Sequence, residues 1–590
     1  MARYAKFAVA VMLICTLAGC GGSETPNGNK DAGKAATAPG DVYYFNNARI
    51  IPGDGNAVIS DAVFLVENGI ITKIGTKEDV KPPQGAGRMD FEGQLLMPML
   101  VNLSGHPGLN TGAVFSTENY KKESVMNDLN RSLYYGISAV LISGSDKDDV
   151  TLQVRDDQRS GKAGGATVFS AGRGITGKGG SFLKDMLIQV GSEADARGAV
   201  IENAGKKADF IAIWNDDSTG TARLSPAITN AVIDEAKKKN LKVVAFVFSL
   251  ADAKEMVKAG VHGIIHSIRD RDVDDELVND MKAKNVFYAP TLTAHESLFI
   301  YADKPNWLGE QSMREVYPAQ LSAFLADSVF IGKMKRDPNL AKYKEQYGVA
   351  LKNLKKIAAG GVKVVLGADS GIANTFPGYF EHRELQLMAD AGMSPMDIIK
   401  SATSVSADVI GLKDGGSIAV GKRADFLVMS SDPLEKIANS KEIAMMYRGG
   451  VQVERLPLIQ NIQMEVPKIT AADRAKEADA QKADAIAQAD AKLTHYGKFP
   501  LGPSAMVAGL AVPTPKYSTH RDKIGPPHQI TVSGKATAAE FREFYTAALS
   551  RGGWVAAGNC FEKKNVVTGK TNSLCIDASN GTAVINIVEK

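Results

Sequence analysis

Between residues 97 and 412 the chain repeats one pattern: a short apolar run, a polar break, then a helix-period stretch. The runs are ISAVLIS (137–143), ATVFSA (166–171), ADFIAIW (208–214), KVVAFVF (242–248), GIIHS (263–267), VFYAPTL (286–292) and VKVVLGAD (362–369). Strands alternating with helices form a parallel sheet with crossover connections, because each helix must cover a sheet face. An earlier run within Gln94 to Leu109, QLLMPMLVNLSGHPGL, makes eight strands, the number that a TIM-type (β/α)8 barrel requires. This run is apolar through Leu95, Leu96, Met97 and Leu100, then ends in the polar tip Ser104-Gly105-His106. A buried barrel strand delivers functional side chains at its C-terminal end in this way. Ser225-Pro226 supplies an N-cap and a first-turn proline to one crossover helix, which carries Ile228, Val232 and Ala236 on one face. The stretch 295–340, after the seventh strand, is a longer excursion expected to cover the barrel mouth.

The flanks read differently. From Asp41 the pattern is short strands, VYYFNNARII and AVFLVENGIITKIG, with Asn68-Gly69 as a two-residue hairpin signal. Strand-rich sequence returns at Gly415 to Leu434 and ends in MMYRGGVQVER. Segments 41–96 and 413–466 therefore predict a composite β-sandwich built from both ends of the barrel insert, 97–412. Residues 467–496 are Ala-rich and polar on every side, which predicts a solvated linker helix. Residues 497–590 predict a small α+β domain, with strand QITVSG and a helix capped by Thr537 with Glu540 three residues on.

At the N-terminus, Arg3 and Lys6 precede an apolar run too short to span a bilayer, and Leu17-Ala18-Gly19-Cys20 follows. The four residues resemble a bacterial lipobox. Residues 1–20 are thus expected to be a signal peptide cleaved before Cys20, which is then lipidated. Gly21 in place of an aspartate favours the outer membrane, and the polar stretch 21–40 reads as a disordered tether. Apart from Cys15 and Cys20, the chain has only Cys560 and Cys575, a natural disulfide pair in an exported protein, with two separately buried thiols as the other reading. A formal charge of +3 with no basic stripe points away from nucleic acid as a partner.

Several segments resemble the amidohydrolase superfamily, over about residues 41 to 466. The first strand is similar to that family's Pro-Gly-Leu-Ile-Asp-x-His-x-His, strand four to its Ala-Asp-x-Ile-Lys-Ile-Trp, and 415–428 to its Gly-Ser-Ile-x-x-Gly-Lys-x-Ala-Asp-x-x-Val. The resemblance implies a binuclear metal site that activates a water for attack on a C–N bond. Carried over position by position, it retains His106, His266 and Asp369 as ligands, with Asp369 and His266 as catalytic groups. Ser104, Ala212 and Phe246 stand where a histidine, the bridging lysine and another histidine belong. Zinc wants three or four well-placed donors, so the expected cofactor is none, or one weakly held divalent ion. Among other histidines, His262 falls at the wrong end of its strand, His382 reads as a packing residue, and His295 lies near the mouth. Two functions of different class follow. One is a C–N hydrolase of weakened or altered activity; the other is a catalytically inactive relative that binds a small molecule or protein in the periplasm.

Overall fold

The computed structural model describes residues 42–492 apart from 373, and the segments 505–507, 510–512, 519–523, 528–534, 536–551, 553–564, 570–579 and 581–589. Cys20 and the tether 21–40 lie outside the described residues. Two compact units divide the chain, Met1–Lys468 and Ile469–Lys590.

In the first unit the repeat of apolar runs folds as a TIM-barrel-like α/β structure. Leu100–Gly105, Ile137–Ile142 and Thr167–Ser170 form one parallel sheet. Phe210–Trp214, Lys242–Phe246, Gly263–Ile265 and Phe287–Ala289 run parallel in a second. The Asp209 N–H, donating to Ser170 O at 2.7 Å, links the two. Phe210 to Trp214 are all buried, as are Val243 to Phe246, which is why these strands read as unbroken apolar runs.

The eighth run, expected as a strand over 362–369, is not a regular one. It makes isolated bridges, Tyr288 with Val364 and Gly105 with Ser370. Backbone bonds still reach both neighbours: Val365 N–H donates to Tyr288 O, Leu366 O accepts from Leu103 N–H, and Asp369 N–H donates to Ser104 O. Two ladder positions are taken by side chains instead. Leu366 N–H donates to Ser406 Oγ at 3.1 Å and Ala368 N–H to Asn102 Oδ1 at 3.2 Å. A backbone donor satisfied by a side chain is lost to the ladder without being left bare.

The flanking strands also differ from expectation. In place of two facing sheets, hydrogen bonding runs through one continuous eight-stranded sheet. Leu95–Pro98 joins its halves, pairing parallel with Val42–Ile50 and antiparallel with Phe426–Met429. A bridge between Ile70 and Arg423 shows that the sheet curls on itself. Phe45, Phe64, Phe91, Phe426 and Tyr447 fill the curl, with Phe426 and Tyr447 stacked at 4.7 Å. Asn68 and Gly69 both have positive φ, 53° and 81°, as a tight two-residue hairpin demands.

The excursion after the seventh strand contains the helices Gln311–Val316, Ala319–Leu325 and Ser328–Lys335. Tyr301 and Tyr317 tie it to the loop after the eighth run, their hydroxyls donating to Asn374 O and Pro377 O.

The second unit begins with the helix Ala471–Lys492. It was expected to be solvated on every side, but Glu477 is buried. Five described strands from 528–533 to 582–589 and the strand Thr519–Lys523 make a six-stranded antiparallel sheet. Helix Ala538–Arg551 buries Phe541, Phe544, Tyr545, Ala548 and Leu549 in a core shared with Ile530, Val532, Leu574 and Ile585. The Thr537 hydroxyl accepts from Glu540 N–H while Glu540 accepts from Thr537 N–H, a reciprocal cap. Cys560 and Cys575 are register partners on adjacent strands and are joined as a disulfide.

Candidate functional site

At the C-terminal ends of the central strands, the side chains singled out by the sequence converge. Ser104 and His106 leave the first strand, Phe246 ends the fifth, His266 follows the sixth, and Asp369 ends the eighth run. Their geometry centres on Asp369. His106 Nε2 lies 2.8 Å from its Oδ1, Ser104 Oγ donates to the same oxygen at 2.7 Å, and His266 Nε2 lies 3.2 Å from its Oδ2. Two members of this set hold unusual backbone angles, His266 at φ 73° and Asp369 at φ 53°. Non-glycine residues in that region cost about 1 kcal/mol or more, and such positions gather at functional sites.

Residues that the sequence reading passed over complete the network. Asp216, two residues past the fourth strand, takes the other ring nitrogen of His266 at 2.8 Å and the Arg269 guanidinium at 3.0 Å. Ser145, just past the second strand, lies 2.7 Å from His106 Nδ1. The signal for both was available: each is a polar residue at the C-terminal end of an apolar barrel run, the same rule that selects Asp369. The whole set is buried, with His106 fully inaccessible and His266 only 4% exposed.

Charge is distributed accordingly. Burial alone would push the Asp369 carboxyl up, but the His106 and His266 imidazoles override it and hold it well below the usual range. Asp216 behaves alike: burial opposes its charge, and Arg269 and then His266 outweigh that and keep it ionised. For His266 burial favours the neutral ring, yet Asp369 and Asp216 raise its pKa. His295 stands beside it, ring centroids 5.2 Å apart, and is driven well below its ordinary value by burial and by the Arg269 and His266 charges. Its Nε2 accepts from Ser267 N–H at 3.2 Å.

Two further histidines of the first unit are structural. His382 is buried, bonded to Ser440 and to Tyr135 O, and His262 Nδ1 accepts from Val243 N–H at the far end of the strands.

This donor set does not fit a divalent ion. A metal-bound imidazole turns a lone pair to the ion, whereas both His266 ring nitrogens face carboxylate oxygens, whose charges raise its pKa against burial. His106 is likewise engaged at both nitrogens. Ala212 offers no donor. Phe246 packs its ring 4.3 Å from Trp214 and 4.8 Å, edge on, from His266, placing apolar surface among the retained groups. Among the described residues no group of three or more His, Cys, Asp and Glu side chains is arranged to hold a metal.

Fold and site together define a TIM-barrel-like α/β framework with a buried polar cluster at the strand ends. The sequence profile of the Amidohydrolase family matches residues 218–453, and that segment supports membership of the amidohydrolase superfamily. Its structure is similar to that of a Xaa-Pro dipeptidase with methionine bound in the active site, at 21% identity and TM-score 0.57, covering 70% of this chain and 100% of that one. It is also similar to a putative prolidase from Bifidobacterium longum (22%, TM-score 0.56, 75% and 100% covered) and to molinate hydrolase (18%, TM-score 0.57, 74% and 99% covered). At these identities the likeness is one of fold. No curated protein sequence matches significantly.

Proposed function

We propose that this chain is an envelope-anchored amidohydrolase whose ring of eight strands is closed and in which metal-dependent C–N hydrolysis has been lost. Hydrolysis of C–N bonds is the activity that the family and its hydrolase neighbours support. What carries the departure is a single observation: the retained groups His106, His266 and Asp369 bond to one another, where a working centre would leave their lone pairs facing an ion. Removing a partner from around a metal ligand already lowers affinity or activity roughly 10 to 100-fold, and here the ligand positions themselves are changed.

Elemental analysis of purified protein tests this. Far less than one metal per chain is expected, together with no chelator-sensitive hydrolysis of dipeptides or cyclic amides. Stoichiometric metal, or brisk hydrolysis abolished by a chelator, would overturn it. The anchoring part of the proposal rests on Leu17-Ala18-Gly19-Cys20. A doubly acylated cysteine holds a membrane stably where a single chain does not. On fractionation, Cys20→Ala should shift the protein out of the membrane pellet; unchanged, processed, membrane-bound protein would end the lipoprotein reading. The periplasmic face of the outer membrane is the proposed location, and a small molecule at the barrel mouth the proposed partner.

A further inference from the structure

A second polar feature of the first unit lies outside the cluster around Asp369. A cleft of about 560 Å³ opens between the helix Lys122–Tyr134, the loop that leads into it and the segment 461–465. That volume falls within the roughly 300–1,000 Å³ of ligand sites. The outer wall is clamped at both ends. At one, Arg455 donates to Tyr134 O at 2.8 Å and lies 4.3 Å over the Tyr134 ring. At the other, a Cβ on Gly112, at φ 83°, would meet Glu465 O at 2.3 Å, so the two backbones touch there. On the inner wall stands Arg131, 4% exposed. Its Nη1 donates to Asp128 Oδ1 at 2.6 Å, and the other oxygen of Asp128 accepts from Gly108 N–H at 2.8 Å, so the guanidinium is fixed in place. Its buried Nε finds no partner among the described residues. Buried donors are seldom left so, and one on the wall of a cleft marks where a ligand's acceptor belongs.

We propose that this cleft is a binding site for a neutral, hydroxyl-rich ligand, a saccharide. Its lining decides the class. Asn127, Asn461 and Gln463 present carboxamides. Each donates from nitrogen and accepts at oxygen, which matches a pair of adjacent ring hydroxyls. The cations are already engaged: Lys121 pairs with Glu123 at 3.2 Å and Arg131 with Asp128 at 2.6 Å. Glu118 and Glu465 also line the cleft and have no ion-pair partner among the described residues, so an anionic ligand is repelled. A ligand's ammonium group offers no acceptor to Arg131 Nε. A hydroxyl does both, accepting from the guanidinium while donating to a carboxylate. Among the described residues Met464 is the one apolar side chain in the lining, which leaves the side chains of a peptide without the pockets that fix its register. The site is separate from the buried cluster, and its binding does not depend on whether that cluster holds a metal.

Full-length protein applied to an array of neutral oligosaccharides based on glucose, galactose and N-acetylglucosamine, beside their sulfated and uronic-acid counterparts, should bind among the neutral members. The oligosaccharide of the strongest spot, added free in solution, should slow amide hydrogen exchange in residues 118–131 and 456–465. Asn127→Ala combined with Gln463→Ala removes two side chains that hold nothing else among the described residues. This double variant should keep its melting temperature and bind at least ~10-fold more weakly, the worth of two hydrogen bonds. Arg131→Lys, which keeps the charge and lacks Nε, should weaken binding likewise. Binding to no neutral member, preference for the charged counterparts, protection confined to other segments, or a double variant that binds as tightly as the parent overturns the assignment. Protection of the same segments by a polar peptide, with no glycan bound, overturns it in favour of a peptide groove.

Discussion

A carboxylate shared between two imidazoles answers to pH in a way that a metal-bound one does not. Asp369 and Asp216 have depressed pKa values, so their contribution to stability is complete above the unfolded aspartate value, near 3.9, and is lost as pH falls through the folded values. His266 has a raised value, so its contribution is complete below about 6.5 and is lost as pH rises through its folded value. The network is therefore strongest in mildly acidic solution. Asp369→Asn should destabilise the barrel by about 3–5 kcal/mol at pH 6, because it strands a buried imidazolium, and chemical denaturation would measure the loss. Glu384 works in the opposite sense from the aspartates. Burial pushes its carboxyl from the ordinary 4.5 up to about 8, against bonds from Thr293 and Leu292. The folded state keeps a proton that the unfolded state has released, so stability falls as pH rises from 4.5 to about 8. Glu384→Gln should flatten that part of the curve of melting temperature against pH, and an unchanged slope would assign it elsewhere.

Among the elements, the central strands were legible because burial on both faces writes itself as a continuous apolar run, and the hairpin at Asn68-Gly69 because its turn needs positive φ at both residues. The irregular eighth run was not legible. VKVVLGAD has the composition of a strand, and nothing local records that Ser406 and Asn102, far away in sequence, supply its hydrogen bonds. The same holds for the site. His106, His266 and Asp369 could be picked from their places at strand ends, but whether they would face an ion or one another depends on Asp216, Arg269 and Ser145, which meet them only in the fold. Asn102 is the clearest case of a residue whose worth is invisible in sequence. Its Oδ1 accepts from Ser104 N–H and Ala368 N–H, and its Nδ2 donates to the buried Glu381. Asn102→Ala leaves those groups bare, at a cost of about 1–3 kcal/mol for each polar group left unsatisfied. Urea unfolding should show a total of several kcal/mol, and a change under 1 kcal/mol would mean that the run closes without it.

On the scale of the whole molecule, two units with separate cores need not unfold together. The Cys560–Cys575 bond closes a 15-residue loop in the second unit alone. A loop of that size contributes roughly 3 kcal/mol by restricting the unfolded chain. Scanning calorimetry with and without reductant should therefore move one transition and leave that of the barrel unit in place; a shift of both would show that the units melt as one. Restoring the metal site is a test on the same scale. Ser104→His, Ala212→Lys and Phe246→His together should raise zinc occupancy, whereas each alone should not, and elemental analysis decides.

The packing of Phe246 against Trp214 also bears on how readily a metal site could be built here. An imidazole put back at 246 would surrender a buried aromatic contact worth about 0.5–1.5 kcal/mol before any ion could repay it. A larger side chain at the fully buried Ser104 would strain the core by about 1–3 kcal/mol. Each single substitution thus costs stability on its own, while a metal site would need all three together. The core around Phe246 and Ser104 therefore resists a metal site introduced one substitution at a time.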